Sequence, residues 1–372
     1  MRVLFIHPNN RVTGQELSLL ARMEGLVAAG VECFCLLPGE GELAGRMREK
    51  GVSLKFFPLD RLAKGRVWPY GRTVWRIFRL LQNERIQIVH CSGMYPHQYA
   101  WPAARLARVP IVVHVTTDAY QAYDFRVNFL ARADLIITCS AVIRARILQD
   151  LPKCGDKIKC VYDGIVGPCP AIERPAVEAL RRSYGISSGT KVVAQIAEVI
   201  PRKGAEYFIE MAALVRNRYP SVKFLLIGKN YGDQYEQDLR AQIKRLGLEK
   251  DVIFAGFRPD MALQIALLDV SVLASLAEGL ARVIVETQFM GKPIVATDVS
   301  GNREAIVDGV TGFLVPPRDP ATLAQAVLSL LTDPAKAAQV GNNGRQLAAE
   351  KFGIDVHARQ VKTIYEQLLK RD

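Results

Sequence analysis

Short β-branched runs alternate with segments of helical period along this whole chain, and past one proline-rich stretch the alternation starts afresh. In the first half the strand-like runs are 3–8, 33–37, 86–90, 111–115 and 135–139, with a short strand and turn at 159–164. A helix over 15–29 carries Leu17, Leu20 and Met23 at helical spacing and stops at Gly30. The stretch 167–175 holds three prolines and reads as a linker. Beyond it strands are expected at 192–197, 223–228, 252–255, 270–274 and 294–297. Helices are expected at 205–218, 234–246, 260–268, 283–290 and 354–369. Alternation of this kind makes the strands parallel and lays helices on both faces of each sheet. The fold class is therefore α/β: two doubly wound parallel-sheet (Rossmann-like) domains, 1–168 and 169–352, facing across a cleft. The last helix, 353–372, is placed to pack back on the first domain.

With 372 residues the chain is long enough for two such domains, and no apolar run approaches the ~20 residues of a membrane span. The N-terminus, from Met1 to Pro8, reads as a strand rather than a signal peptide. Cys33, Cys35, Cys91, Cys139, Cys154, Cys160 and Cys169 are scattered without zinc-ribbon spacing, which fits reduced thiols in a cytosolic protein. The formal charge of +12 asks for an anionic partner: nucleic acid, an acidic membrane face or a phosphorylated substrate. No recognisable reading module accompanies the bases, which sets nucleic acid aside. Arg61, Lys64, Arg66, Arg72, Arg76, Arg79 and Arg85 cluster. Within them Val74, Ile77, Phe78 and Leu81 recur at i, i+3, i+4, i+7, and Arg72, Arg76 and Arg79 share the opposite face, with Trp68 and Trp75 nearby. That face is either an ordinary solvated one or an attachment point for an anionic membrane or acidic acceptor.

Glycines at 39, 41 and 45 invite a dinucleotide-binding reading, but the last falls one place late, two glutamates occupy the pyrophosphate position, and the segment follows the second strand. The stretch 275–286 is richer. A buried strand runs into a small-residue turn and a helix N-terminus, with Glu278 in the turn and Glu286 on the helix. Helix N-termini present unpaired N–H groups that suit phosphate, and carboxylates beside them suit hydroxyl donors such as those of a sugar; equally, Glu278 is a partner of the helix dipole and Glu286 a solvated helix residue. Arg202, Lys203 and Gly204 form a basic turn between a strand and a helix, either apt for a diphosphate or an ordinary basic surface turn. His114, near the end of its strand, is placed where open parallel sheets bind ligands, although a lone histidine there is also often structural; His90 and His97 read as structural.

Assembled, these residues resemble the retaining family 4 of the GT-B glycosyltransferases over nearly the whole length. The most specific element is E-x7-E, here Glu278 and Glu286, followed by Gly291-Lys292-Pro293-Ile294-Val295-Ala296-Thr297. The Lys203-Gly204 turn, the run from Asp308 to Val315, the Gly14-Gln15-Glu16 loop, His114, and Ala133-Asp134 with Ser140 also match. The resemblance implies roles for these residues. Glu286 would accept from ribose hydroxyls, Glu278 would hold the donor sugar, and Lys203 with Arg202 would neutralise the departing diphosphate. Backbone N–H groups of Gly279, Leu280 and Ala281 would contact sugar or phosphate, Gly14 would let its loop approach the diphosphate, and His114 would contact the sugar. It further implies a nucleotide-sugar donor, no other cofactor, no metal, and a glycan or lipid-linked acceptor. The site expected is cytoplasmic, at the inner face of the plasma membrane. Leu280 and Ala281 replace the family's aromatic and glycine, and Glu198 stands where an arginine is usual. Glu198 and Ala281 support the alternative of a weakly catalytic nucleotide-sugar-binding protein; a GT-B sugar-nucleotide epimerase, the other alternative, needs an additional acid/base set that the residues do not identify.

Overall fold

The computed structural model describes residues 1–12, 14–59, 67–116, 122–166 and 172–370. In chain order the first elements are β1 (Arg2–Ile6), α1 (Gly14–Ala28), β2 (Glu32–Leu37), α2 (Glu42–Glu49), β3 (Ser53–Phe56), α3 (Val67–Asn83) and β4 (Ile88–Ser92). Then come α4 (His97–Ala107), β5 (Ile111–Val115), α5 (Ala122–Val127), β6 (Leu135–Thr138), α6 (Ala141–Asp150) and β7 (Ile158–Cys160). The second half holds α7 (Arg174–Ser183), β8 (Lys191–Ile196), α8 (Ala205–Arg218), β9 (Val222–Ile227), α9 (Gln234–Arg245), β10 (Val252–Gly256), α10 (Met261–Leu267) and β11 (Val270–Leu273). It ends with α11 (Arg282–Phe289), β12 (Ile294–Thr297), α12 (Asn302–Ala305), β13 (Phe313–Val315), α13 (Pro320–Thr332), α14 (Pro334–Phe352) and α15 (Ile354–Leu369).

The chain divides into two compact units, 1–166 with 352–372, and 167–351. The first is built on a parallel sheet ordered β3-β2-β1-β4-β5-β6-β7, the second on a parallel sheet ordered β10-β9-β8-β11-β12-β13. In each, the chain walks outward from the middle, returns, and walks outward the other way. The order therefore reverses between β1 and β4 in one sheet and between β8 and β11 in the other. In an open α/β sheet the loops diverge at such a reversal and leave a crevice at the carboxyl ends of the strands.

Strand alternation sorts the first unit's core into two layers. Ile111, Val113 and Val115 of β5 face the layer containing Ile77 and Leu81 of α3. Val112 faces the other layer, with Met23 and Leu26 of α1 and Val361, Ile364, Tyr365 and Leu368 of α15. Burial of each such α15 side chain contributes roughly 1.5–3 kcal/mol, which is what returns the C-terminal helix to this sheet. The approach of α1 to α15 is close: a Cβ at Gly25 would lie 2.8 Å from Ile354 Cγ1.

The segment around Gly39, Gly41 and Gly45 leads into α2, a helix the glycines concealed; Arg46 pairs with Glu42 at 2.7 Å and Arg48 pairs with Glu40. Cys33, Cys35, Cys91, Cys139 and Cys154 are buried free thiols, and burial pushes Cys33 up to about 12. Among the described residues no helix is long and apolar enough to cross a membrane. Arg61, Lys64, Arg66, Cys169 and most of the expected linker lie outside the described residues.

Candidate active site

In the second unit the reversal point of the sheet carries two turns, one leaving β8 and one leaving β11. Pro201–Lys203 forms a single 3-10 turn that ends at Gly204 in the left-handed conformation, φ 65°. Only glycine fits there, because a Cβ would lie 2.2 Å from the carbonyl oxygen of Ala274. Gln195, buried near the end of β8, joins both turns: its Nε2 donates to Lys203 O at 3.0 Å, and its Oε1 accepts from Ala274 N at 3.1 Å. Leu276 N donates to Arg202 O at 2.8 Å, and Arg202 Nη1 donates to Ala277 O at 2.9 Å.

This stitching brings charges together. Lys203 Nζ lies 2.5 Å from Glu278 Oε1, Ser275 Oγ donates to the same oxygen at 2.6 Å, and Arg202 Nη1 stands 3.7 Å from Oε2. The Glu278 and Lys203 side chains are 7% and 16% exposed, while Arg202 is half exposed. A carboxylate held this deep needs such partners, since an unpaired buried charge is costly. Two cations and one carboxylate leave the turn net positive, at the start of α11, where the first N–H groups have no partner within the helix. A Cβ at Gly279 would meet nothing within 4 Å, so the backbone there is open to close approach by a ligand. Ala281 is buried as the cap of α11, and Leu280 is half-buried. Glu286 lies one turn along from Arg282, which donates to it at 2.6 Å, and it stays 24% exposed. Glu198 is exposed. The structure thus brings Arg202, Lys203, Glu278, Gly279, Leu280 and Ala281 into one neighbourhood and sets Glu286 on the helix that leaves it.

The remaining expected residues lie in the first unit. Gly14 opens α1, and a Cβ there would meet nothing within 4 Å, so packing does not ask for glycine. Glu16, in the first turn of α1, is buried against His7 at 3.0 Å. His114 is penultimate in β5, and its parity with Val112 turns it inward, with no exposed surface. Its Nε2 faces Arg22 Nη2 at 3.3 Å, His90 lies 5.4 Å away and His357 6.3 Å away, ring centre to centre. Arg22 is anchored on Asp163 at 2.6 Å. Burial first, then the positive charge of Arg22, holds His114 and His90 well below the ordinary histidine range and His357 at about 4. His114 thus sits with Arg22, His90 and His357 in one buried cluster, its Nδ1 without a partner among the described residues. At the carboxyl edge of β5 Thr116 emerges, its Oγ1 accepting from Gln15 at 2.6 Å.

Other matched residues serve the scaffold. Asp134 accepts from Ile111 N at 2.8 Å, and Ser140 caps α6 by accepting from Ile143 N at 3.2 Å. Lys292 donates to Leu268 O at 2.8 Å, and Asp308 accepts from Leu314 N at 2.9 Å. From the sequence, Gln195 has no assigned role and Ser275 only a place in the stretch 275–286; a lone amide in the apolar β8 run is the signal for Gln195.

Two doubly wound parallel-sheet units with their polar turns at the sheet reversals have the architecture of the GT-B glycosyltransferases. Anabaena Alr3699/HepE, solved in complex with UDP, shares this fold at a TM-score of 0.85 and 24% identity, over 99% of this chain and 100% of that one. Alpha-D-kanosaminyltransferase of Streptomyces kanamyceticus is 33% identical over 331 residues, 81% of this chain and 83% of that protein. UDP-Gal:alpha-D-GlcNAc-diphosphoundecaprenol alpha-1,3-galactosyltransferase of Escherichia coli is 25% identical over 305 residues, 78% of this chain and 77% of that protein. The profile of the glycosyl transferases group 1 matches residues 176–347, and that of glycosyltransferase family 4 matches residues 12–166. The chain belongs to this family of glycosyltransferases and is an enzyme of the hexosyltransferase type.

Proposed function

We propose that the enzyme transfers a hexose-type sugar from a nucleotide-sugar donor to a cell-surface glycan or a lipid-linked acceptor, such as lipopolysaccharide core or another polysaccharide precursor. Transfer proceeds with retention of configuration and without a metal ion. The observation that carries the reading is the Lys203–Glu278 pair at the sheet reversal of the second unit, with Arg202 beside it.

Lys203 and Arg202 hold the donor diphosphate and stabilise the negative charge that grows as the bond to the sugar breaks, aided by the N-terminus of α11. Cations in these positions take the role that a divalent metal plays elsewhere. Glu278, fixed by Lys203 and Ser275, turns its remaining acceptor capacity to donor-sugar hydroxyls. Glu286 exchanges its bond with Arg282 for the ribose hydroxyls. Backbone N–H groups at 279–281 contact sugar or phosphate, and because those contacts use backbone alone, Leu280 and Ala281 preserve them. The lipid-linked acceptor takes support from the Escherichia coli relative, whose own acceptor is alpha-D-GlcNAc-diphosphoundecaprenol. Such an acceptor places the enzyme at the inner face of the plasma membrane.

The test is the anomeric configuration of the product, read by NMR after incubation with an α-linked nucleotide sugar, with and without a metal chelator. An α-linked product formed equally in both supports the reading. A β-linked product, or transfer abolished by the chelator and restored by a divalent metal, would overturn retention or metal independence respectively.

A further inference from the structure

The outer face of α3 has no role in the donor site, and its composition is unusual. Trp68, Arg72, Trp75 and Arg79 follow one another at i, i+4, i+7 and i+11, so all four lie along one stripe of the helix. Trp68 is 86% exposed and Trp75 56%, and both arginines are exposed. At ~1.5 Å per residue the stripe is about 16 Å long. Arg76 flanks it, half-buried, with its guanidinium 5.8 Å from the Phe57 ring centre. The helix holds no acidic residue from Val67 to Asn83. Beside the stripe a hollow of about 710 Å³ is lined by Phe56, Phe57, Pro58, Trp75, Arg76 and Arg79, among others.

The stripe is held rigidly from behind. Ile77 and Leu81 are fully buried in the sheet's core, and Tyr70 donates to Gln98 O of α4 at 2.8 Å. Two large indole rings left in water on a packed helix are expensive unless something covers them. Trp beside Arg is the pairing that suits a bilayer interface, where the ring sits at headgroup depth and the cation meets phosphate. The four side chains lie along one exposed helix face, an arrangement that fits a broad, yielding surface. The chain's formal charge of +12 favours an anionic one.

We propose that the Trp68–Arg72–Trp75–Arg79 stripe docks the enzyme on an anionic phospholipid bilayer, with Arg76 and Arg79 receiving a headgroup phosphate in the adjoining hollow. This rests on the proposed lipid-linked acceptor and names the surface that delivers the enzyme to it. The stripe starts at the amino end of α3, and β3, which precedes that helix, delivers the chain at the carboxyl edge of the sheet, the edge that bears Gly14 and Thr116.

The experiment is co-sedimentation of the full chain with phosphatidylcholine vesicles, with and without about one third phosphatidylglycerol, together with tryptophan emission. Nucleotide-sugar thermal shift is measured in parallel as a check on folding and on the donor site. The expected result is salt-sensitive binding to phosphatidylglycerol vesicles alone, with a blue-shifted emission. Replacing Arg72, Arg76 and Arg79 by Gln should weaken binding about 100-fold, at roughly one cation's contribution each. Trp68→Ser with Trp75→Ser should abolish the blue shift, and both variants should keep the parent's thermal shift. Parent protein that ignores these vesicles at low salt while responding to nucleotide sugar would overturn the docking surface and leave the transfer reading standing. Undiminished vesicle binding by the arginine variant would also overturn it, as would stripe-dependent binding to heparin or duplex DNA without binding to vesicles. Vesicle binding by a chain that no nucleotide sugar stabilises would uphold the surface and count against the donor reading.

Discussion

Removing Lys203 tests whether the buried charge pair both holds the turn and serves the chemistry. In Lys203→Met, Glu278 keeps Ser275 at 2.6 Å and Arg202 at 3.7 Å but loses its 2.5 Å partner. Breaking a fully buried pair costs about 3–5 kcal/mol, and with two partners left the expected cost is about 2–3 kcal/mol. For a unit of this size that is a fall in melting temperature of about 5–10 °C. Glu278→Gln should cost a similar amount. The double variant should be less destabilised than the sum of the two by about 1–3 kcal/mol, because it leaves no buried charge unpaired. Turnover behaves differently. Loss of one preorganised charge-stabilising group typically costs about 100- to 1000-fold in kcat, and the double variant should recover none of it. The assay pairs chemical denaturation with nucleotide release from the best donor. Lys203→Met protein that melts with the parent and turns over at the parental rate would refute the argument at both levels.

Three further outcomes are expected. Glu286→Gln should abolish donor-dependent turnover but shift stability by less than about 0.5 kcal/mol, since its pair with Arg282 is partly exposed; full turnover in that variant would remove Glu286 from the site. Gly204→Ala forces a Cβ to 2.2 Å from Ala274 O at a φ of 65°, so it should destabilise by at least about 2 kcal/mol and slow turnover with it; parental melting would show that the turn yields freely. His90, His114 and His357 are held neutral, with folded values below the unfolded one of 6.5, so the unfolded chain binds more protons as pH falls. Unfolding free energy should be full above pH ~6.5 and decline toward pH ~4 by up to about 1.4 kcal/mol per pH unit for each histidine. Denaturant titrations that give a flat or rising stability from pH 7 to pH 5 would contradict this.

Periodicity made most of the framework legible. The residues of α8, α15, β5 and β12 coincide with the ranges read from the sequence, because each is a clean run of one period bounded by Gly, Pro or a charge. Elements without that contrast were hidden. β3 is four residues long and half exposed, α2 begins among glycines, and α4 carries Pro102 inside it. The turn of the second unit was legible because a small-residue segment after a buried strand has few other uses. Parity along β5 buries His114, which proximity to a strand end alone does not reveal. The seam made by Gln195 and the stripe that joins Trp68 to Arg79 depend on which residues meet in space, and only the folded chain supplies that.

The central claim is that the second unit's Lys203, Glu278 and Glu286 serve a nucleotide-sugar donor. Its most direct test is nucleotide release and thermal shift of the pure protein against a panel of UDP-, GDP-, ADP- and TDP-sugars. At least one should stabilise the protein and release nucleotide on addition of acceptor, with both responses lost in Lys203→Met. A protein that none of the panel stabilises at millimolar concentration, or a Lys203→Met variant that responds as the parent does, would contradict it.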